Sequence, residues 1–174
     1  MAVDPQSGRL TPIWRGWSAV HVLGALWTLP NTVLGIVIGA VGSCFGARPR
    51  WSSHELALVF HAWPWGPWGP GGAMTLGNVM LLKGASLDLQ CSTYAHAAGR
   101  CQHPPVRLGD HERAHVYQYM LLGPLFLPVY FLCGGIHVRN PLERAADTYA
   151  MHGHGWWPWW FQPNREKPNS SDKG

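Results

Sequence analysis

The three longest stretches of the chain without Asp, Glu, Lys or Arg divide its hydrophobic pattern into parts. They cover residues 16–47, 56–82 and 114–138. In the first, residues 23–41 are about as long as the roughly 20 apolar residues of a membrane-spanning helix. Pro30 interrupts them, which predicts a kinked span, a re-entrant hairpin or two short helices. We therefore expect residues 1–50 to form an apolar, membrane-inserting or re-entrant segment.

The second stretch begins with a loop and continues into a strand. Residues 63–72 are built almost entirely of Trp, Pro and Gly, a composition that excludes regular helix and inner strand. Residues 73–82 predict one β-strand, which Lys83 and Gly84 end. Tryptophans recur at residues 156–160, and such rings favour the headgroup zone of a membrane or pack over a core.

The third stretch starts inside a helical pattern that should break at Gly123 and Pro124. Residues 125–133 then form a second apolar segment that contains Pro128. The segment is too interrupted for a straight transmembrane helix, so it predicts either a dip into the bilayer or a cover over the core.

Composition narrows the class of protein. At 174 residues the chain suits one domain, and its 13% charged residues and 11 tryptophans are unlike a solvated or disordered chain. The net charge of +4 comes from scattered residues without a basic stripe, so we expect no nucleic-acid partner and favour an anionic membrane surface. Residues 51–162 are predicted to be the folded domain, and residues 163–174 a disordered tail.

One short motif carries metal chemistry. His111, Glu112 and His115 form the pattern His-Glu-x-x-His. On a helix, the two histidines project from one face and can hold one metal ion, while the carboxylate of Glu112 can reach a water on that ion. The alternative is that Asp110 caps a helix and Glu112 is favoured in its first turn, which leaves His115 unexplained.

A second motif makes the pattern specific. Glu143 and Asp147 lie one helical turn apart, and Glu143 stands 28 residues after His115. His-Glu-x-x-His followed by Glu-x-x-x-Asp on a second helix resembles the gluzincin zinc metallopeptidases of the thermolysin superfamily. Gln118, residues 123–128 and the pair Asn140 and Pro141 also resemble those of a group of small, uncharacterised bacterial membrane-associated proteins with the pattern His-Glu-x-x-His-x-x-Gln.

The gluzincin resemblance implies a role for each residue. His111, His115 and Glu143 would be the ligands of Zn²⁺, Glu112 the general base, and Asp147 the carboxylate that orients a ligand histidine. Tyr117, Tyr119, Tyr130 and His137 are unranked candidates for the oxyanion stabiliser. The substrate would be a peptide or protein near the membrane, held against an edge strand supplied by residues 73–82.

The expected fold is therefore α+β. It has a small metallopeptidase-like core with an active-site helix, an edge strand or small sheet and a second ligand helix, next to the apolar N-terminal segment. The expected location is a membrane, the bacterial inner membrane by the second resemblance.

Other functions stay open at this point. The fold can instead serve as a non-catalytic, membrane-anchored interaction module, with or without a structural metal. A haem or copper protein using scattered histidines is a further alternative. Cys91, His96, Cys101 and His103 can in principle hold a second zinc, and Cys91 and Cys101 can form a disulfide.

Overall fold

A computed structural model describes residues 18–65 and 72–159, together with the backbone of two short strands that precede them. These strands, β1 (Ala2–Val3) and β2 (Leu10–Thr11), pair antiparallel. The described chain combines helices with small sheets, which confirms a mixed architecture of helix and strand. The predicted tail at 163–174 lies outside the described residues.

The apolar N-terminal stretch folds as two helices, α1 (Ala19–Trp27) and α2 (Leu29–Ser43), which meet at Thr28 with a bend of 70°. Pro30 occupies the first turn of α2, where its missing N–H leaves no intrahelical bond unmade. Among the described residues, no single helix is both long and apolar enough to cross a membrane. The bent pair satisfies length and composition only when its two helices are taken together.

Helix α2 packs on the sheet through a face almost without side chains. Gly35, Gly39 and Gly42 are buried at helical spacing, and a Cβ atom at Gly39 would lie 2.2 Å from the ring of Phe60. The opposite face carries large apolar side chains that remain about half exposed. These include Val33 at 50%, Val37 at 56% and Val41 at 50% exposure.

The main sheet has four strands: β3 (Arg48–Ser52), β4 (Ala57–His61), β5 (Ala73–Leu76) and β6 (Val79–Leu82). Their order is β3-β4-β6-β5; β4 and β6 run parallel and the outer pairs antiparallel. The prediction of one strand over 73–82 is wrong. Gly77 adopts a φ of +61° that favours glycine, so the chain turns there and β5 becomes an edge strand.

A smaller antiparallel pair, β7 (Gln90–Cys91) and β8 (Val106–Arg107), encloses the short helix α3 (Tyr94–Ala97). The next helix, α4 (Leu108–Leu122), begins directly after β8. Asp110 is therefore inside the helix and is not its cap. Its carboxylate instead pairs with Arg107, at 3.2 Å from Nη1.

The predicted break at Gly123 and Pro124 is confirmed. Helix α4 ends at Leu122 with Gly123 as its C-cap, a 3₁₀ turn covers Gly123–Leu125, and α5 (Phe126–Leu132) follows. The last helix, α6 (Pro141–His152), is capped by Asn140, whose Oδ1 accepts from the N–H of Leu142. Helices α4 and α6 pack directly against each other, which brings the two predicted motifs together.

The tryptophan-rich segments differ in burial. Trp63 is buried against α2 and the sheet, whereas Trp159 is 54% exposed. The described part of the first loop has no helix or strand over residues 62–65, as predicted, and its residues 66–71 lie outside the described range. Cys91 and Cys101 are not bridged, since both are free thiols.

Candidate metal centre

The two histidines of the first motif lie one turn apart on the buried face of α4. His111 and His115 are each 7% exposed. Their Nε2 atoms are 3.2 Å apart, as the i, i+4 spacing on a helix allows. The local sequence thus positions half of a metal site.

Helix α6 supplies the third group. The Oε2 atom of Glu143 lies 3.2 Å from Nε2 of His111 and 3.3 Å from Nε2 of His115. Glu143 is 2% exposed, so these three donor atoms form a small triangle shielded from solvent. Within the described ranges, this is the one cluster of His, Cys, Asp or Glu that can hold a metal ion.

The carboxylate of Asp147 stands behind His111. Its Oδ1 is 3.1 Å from Nδ1 of His111, and its Oδ2 accepts from the backbone N–H of Tyr94 at 2.9 Å. A proton on Nδ1 faces this carboxylate, so when the ring is neutral its lone pair is on Nε2, the nitrogen directed at Glu143 and His115. Orientation of a ligand histidine by a carboxylate is a common feature of metal sites.

The side chain of Gln118 fixes the other histidine. Its Nε2 donates to the carbonyls of Leu142 at 3.0 Å and Trp156 at 2.8 Å. Because both N–H groups have acceptors, the amide oxygen is the atom that lies 2.9 Å from Nδ1 of His115. His115 must therefore carry its proton on Nδ1, and its Nε2 also presents a lone pair to the triangle.

The charges in the triangle influence each other strongly. Burial opposes the charge on His111, but the carboxylates of Asp147 and Glu143 outweigh burial and hold its pKa well above the ordinary value. Burial also opposes the charge on Glu143, yet His115 and His111 hold its pKa well below the ordinary value. Glu143 is therefore an anion at neutral pH, and a cation between the three atoms suits this arrangement.

The carboxylate of Glu112 is also buried and lines the same cavity as the triangle. Glu112 is 4% exposed, and its Oε2 accepts from Oγ1 of Thr75 at 2.6 Å. Thr75 belongs to the edge strand β5, so the sheet positions this carboxylate from outside α4. The cavity has a volume of about 110 Å³.

Of the four candidates for the oxyanion stabiliser, Tyr130 of α5 is the one that hydrogen-bonds to a residue of the two motifs in the described structure. Its hydroxyl donates to Oε1 of Glu143 and it lines the cavity. Burial and the neighbouring Glu143 raise its pKa, so the hydroxyl stays protonated at neutral pH. Tyr119 also lines the cavity, whereas Tyr117 packs beside Trp156, and neither Tyr117 nor His137 lines it.

Two contributors were not among the predicted site residues. Thr75 and Tyr94 reach the site from β5 and α3, and neither belongs to a motif. The second zinc site considered from Cys91, His96, Cys101 and His103 does not form a cluster in the described structure. Cys101 instead contacts His103, with Sγ 3.4 Å from Nδ1.

Comparison with protein-family models, with curated proteins and with solved structures finds no match to this chain. The resemblance to gluzincins thus depends on the residue pattern alone.

Proposed function

We propose that the protein is a membrane-associated, zinc-dependent metallopeptidase. The observation that carries the proposal is the triangle of donor atoms from His111, His115 and Glu143, with sides of 3.2–3.3 Å. Zn–N and Zn–O bonds of roughly 2.0–2.1 Å in a tetrahedron require donor separations of about 3.3 Å. The protein therefore holds the donors of a three-ligand site at the spacing that zinc needs, with the fourth direction left for water or substrate.

The residues around the triangle suit hydrolysis of an amide. A bound zinc supplies a Lewis acid that lowers the pKa of its water to about 7 and polarises a carbonyl. Glu112 accepts the proton of the attacking water and returns it to the leaving amine. Thr75 holds the Glu112 carboxylate in place, and the protonated hydroxyl of Tyr130 can donate to a developing oxyanion once it leaves Glu143.

The edge strand β5 supports a peptide as the substrate. Its inner edge pairs with β6, and its outer edge has no strand partner in the described structure. An extended peptide can add to this edge by backbone hydrogen bonds, which places its carbonyl beside the metal centre. Met74, Leu127 and Phe131 line the cavity, so an apolar side chain is the preferred occupant next to the scissile bond.

Exposed apolar side chains support membrane association. Val20, Leu23 and Leu26 of α1 are 61–75% exposed, and Leu132 of α5 is 88% exposed. Soluble surfaces rarely present so many large apolar groups close together. A buried bond from Nδ2 of Asn31 to the carbonyl of Gly123, 2.8 Å long, joins the helix pair to the turn that leads into α5. The lipid bilayer, such as the bacterial inner membrane, is the partner that this surface fits.

The test combines metal content with activity. Elemental mass spectrometry of the full-length protein in detergent should find about one zinc per chain, and His115→Ala should lose it. Glu112→Gln should keep the zinc and lose hydrolysis of a peptide library, because it removes the base but no ligand.

Two outcomes contradict the proposal. No zinc in folded wild-type protein after zinc loading would exclude a zinc enzyme. Equal peptide cleavage by wild type and Glu112→Gln, or cleavage by neither, with zinc bound in both, would instead indicate the non-catalytic, metal-stabilised interaction module.

A further inference from the structure

A second, larger cavity lies along a neighbouring face of α6. Its volume is about 790 Å³, and it opens to solvent between α6, the loop after α3 and the turn before α6. Arg100, Arg139 and Arg144 all line it, one from each of these segments. The sequence alone gave no reason to group these three residues.

The three guanidinium groups have no carboxylate partner among the described residues. In the described part of the chain, no Asp or Glu lies within ion-pair distance of Arg100, Arg139 or Arg144. Asp147 also lines the cavity, but its two oxygens already face His111 and Tyr94. Among the described residues, the cavity therefore presents a net positive charge without a neutralising carboxylate.

A cavity lined by three arginines is suited to binding a phosphate group. The planar guanidinium donates paired hydrogen bonds that match phosphate oxygens, and basic pockets at membrane surfaces bind phospholipid headgroups. Trp157 lines the same cavity and provides an apolar wall beside the charges.

The surroundings select a lipid over a soluble phosphate. Val138 and Arg139 of the cavity follow shortly after Ile136, which is 53% exposed and lines the metal cavity. Phe131 and Leu132, at 68% and 88% exposure, continue this apolar surface. A molecule with an anionic phosphate next to acyl chains would contact both surfaces at once.

We propose that the cavity lined by Arg100, Arg139 and Arg144 binds the phosphate group of an anionic phospholipid. This inference rests on the membrane association proposed above, and it is independent of hydrolysis at the metal centre. It assigns the protein a headgroup site that would hold the metal cavity close to the bilayer surface.

The test uses the full-length protein in neutral detergent micelles. Binding is followed by tryptophan fluorescence as short-chain phosphatidylglycerol, phosphatidylcholine or inorganic phosphate is added. We expect preference for phosphatidylglycerol, and a loss of about fivefold in affinity for each of Arg139→Gln and Arg144→Gln, from about 1 kcal/mol per basic residue. The matched controls are Arg48→Gln and Arg50→Gln, each of which removes one positive charge from β3, outside the cavity.

Any other pattern of lipid binding overturns the proposal. Equal weakening in the control pair would indicate diffuse attraction, and equal binding of phosphatidylcholine would exclude an anionic headgroup site. Inorganic phosphate that binds as tightly and displaces the lipid would indicate a soluble ligand. Circular dichroism and thermal unfolding verify folding of the variants, and Arg100→Gln, in a loop, replaces any α6 variant that does not fold. Retained lipid preference without peptidase activity would contradict the proposed enzyme and leave this site intact.

Discussion

The buried face of α4 and the outer face of α2 depart from the usual distribution of side chains in opposite directions. On α4, His111, Glu112 and His115 are polar and nearly inaccessible, and each has a partner from another helix or from the sheet. On α2, Val37 and its neighbours are apolar and half exposed, with no partner on that side in the described structure. Polar groups inside and apolar groups outside both weaken a fold unless a ligand or a surface compensates. The comparison separates two sites: His111 and His115 of α4 can hold a metal ion together with Glu143, and the exposed apolar face of α2 is the surface for which we propose a membrane partner.

Metal removal should have the largest effect on the stability of the protein. The effect should be confined to the region around α4. Adding a chelator to zinc-loaded protein is expected to lower the free energy of unfolding by about 4 kcal/mol where free zinc had been about 1,000 times its Kd. Hydrogen exchange should then accelerate in α4 and α6, which supply the ligands, and change little in α2. Equal acceleration in α2 would contradict separate roles for the two regions.

Gly39→Val should destabilise the other region by disrupting the packing of α2 on the sheet. The new Cβ would overlap the Phe60 ring, so α2 must move away from the sheet at a cost of about 3 kcal/mol in unfolding free energy. Ala40→Val, on the exposed side of the same helix, is the control and should change the stability by less than about 1 kcal/mol. Chemical denaturation measures both, and an equal effect of the two variants would show that the close contact does not matter.

Gln118→Ala tests whether the site depends on fixed histidine orientation. We expect zinc affinity to fall by about 10- to 100-fold, because the proton on His115 loses its acceptor. Competition with a chromogenic chelator gives the affinity. The control is Gln102→Ala, at an exposed residue away from the cluster, which should leave the zinc affinity unchanged. Unchanged affinity in Gln118→Ala would mean that packing alone orients the His115 ring.

The smallest expected effect is a change in stability with pH. It concerns Glu55, a residue that belongs to neither α4 nor α2. Glu55 is buried and pairs with Arg107 at 2.8 Å. Burial raises its pKa, but the hydrogen bonds from Ser52 and Arg107 outweigh burial and leave the pKa below the ordinary value. A lowered pKa stabilises the fold above the unfolded-state value, about 4.5, and this contribution disappears as pH falls through the folded-state pKa.

Glu55→Gln should therefore be less stable than wild type at pH 7, and the difference should vanish in acid. Denaturation of the metal-free forms across this pH range measures it. A constant difference at every pH would contradict a role for the ionised carboxylate.

The sequence was sufficient to predict the part of the site that one helix determines. The spacing of His111 and His115 fixes their relation on any α-helix, and Glu143 with Asp147 follows the same rule on α6. That the two motifs meet depends on the packing of α4 on α6, which the resemblance anticipated and local pattern could not. The roles assigned to these residues remain predictions.

The contributions from other elements could not be predicted. Thr75 reaches Glu112 only because Gly77 turns the chain and places β5 at the sheet edge. Residues 73–82 are mostly apolar and have no alternating period, so hydrophobicity alone did not separate one strand from two; the Gly77–Asn78 pair was the hairpin signal in this stretch. Tyr130 was not distinguishable from Tyr119, because their relation to Glu143 depends on how α5 folds back after the 3₁₀ turn.

The bond between Asn31 and Gly123 connects the helix pair to the corner from which α5 starts, and α5 carries Tyr130 to Glu143. A Cβ at Gly123 would lie 2.2 Å from Trp27, so the junction is tightly packed as well as hydrogen-bonded. If contact of α1 and α2 with lipid shifts this corner, metal affinity changes with it. Thermodynamic reciprocity then requires that zinc alter the affinity for lipid by the same factor.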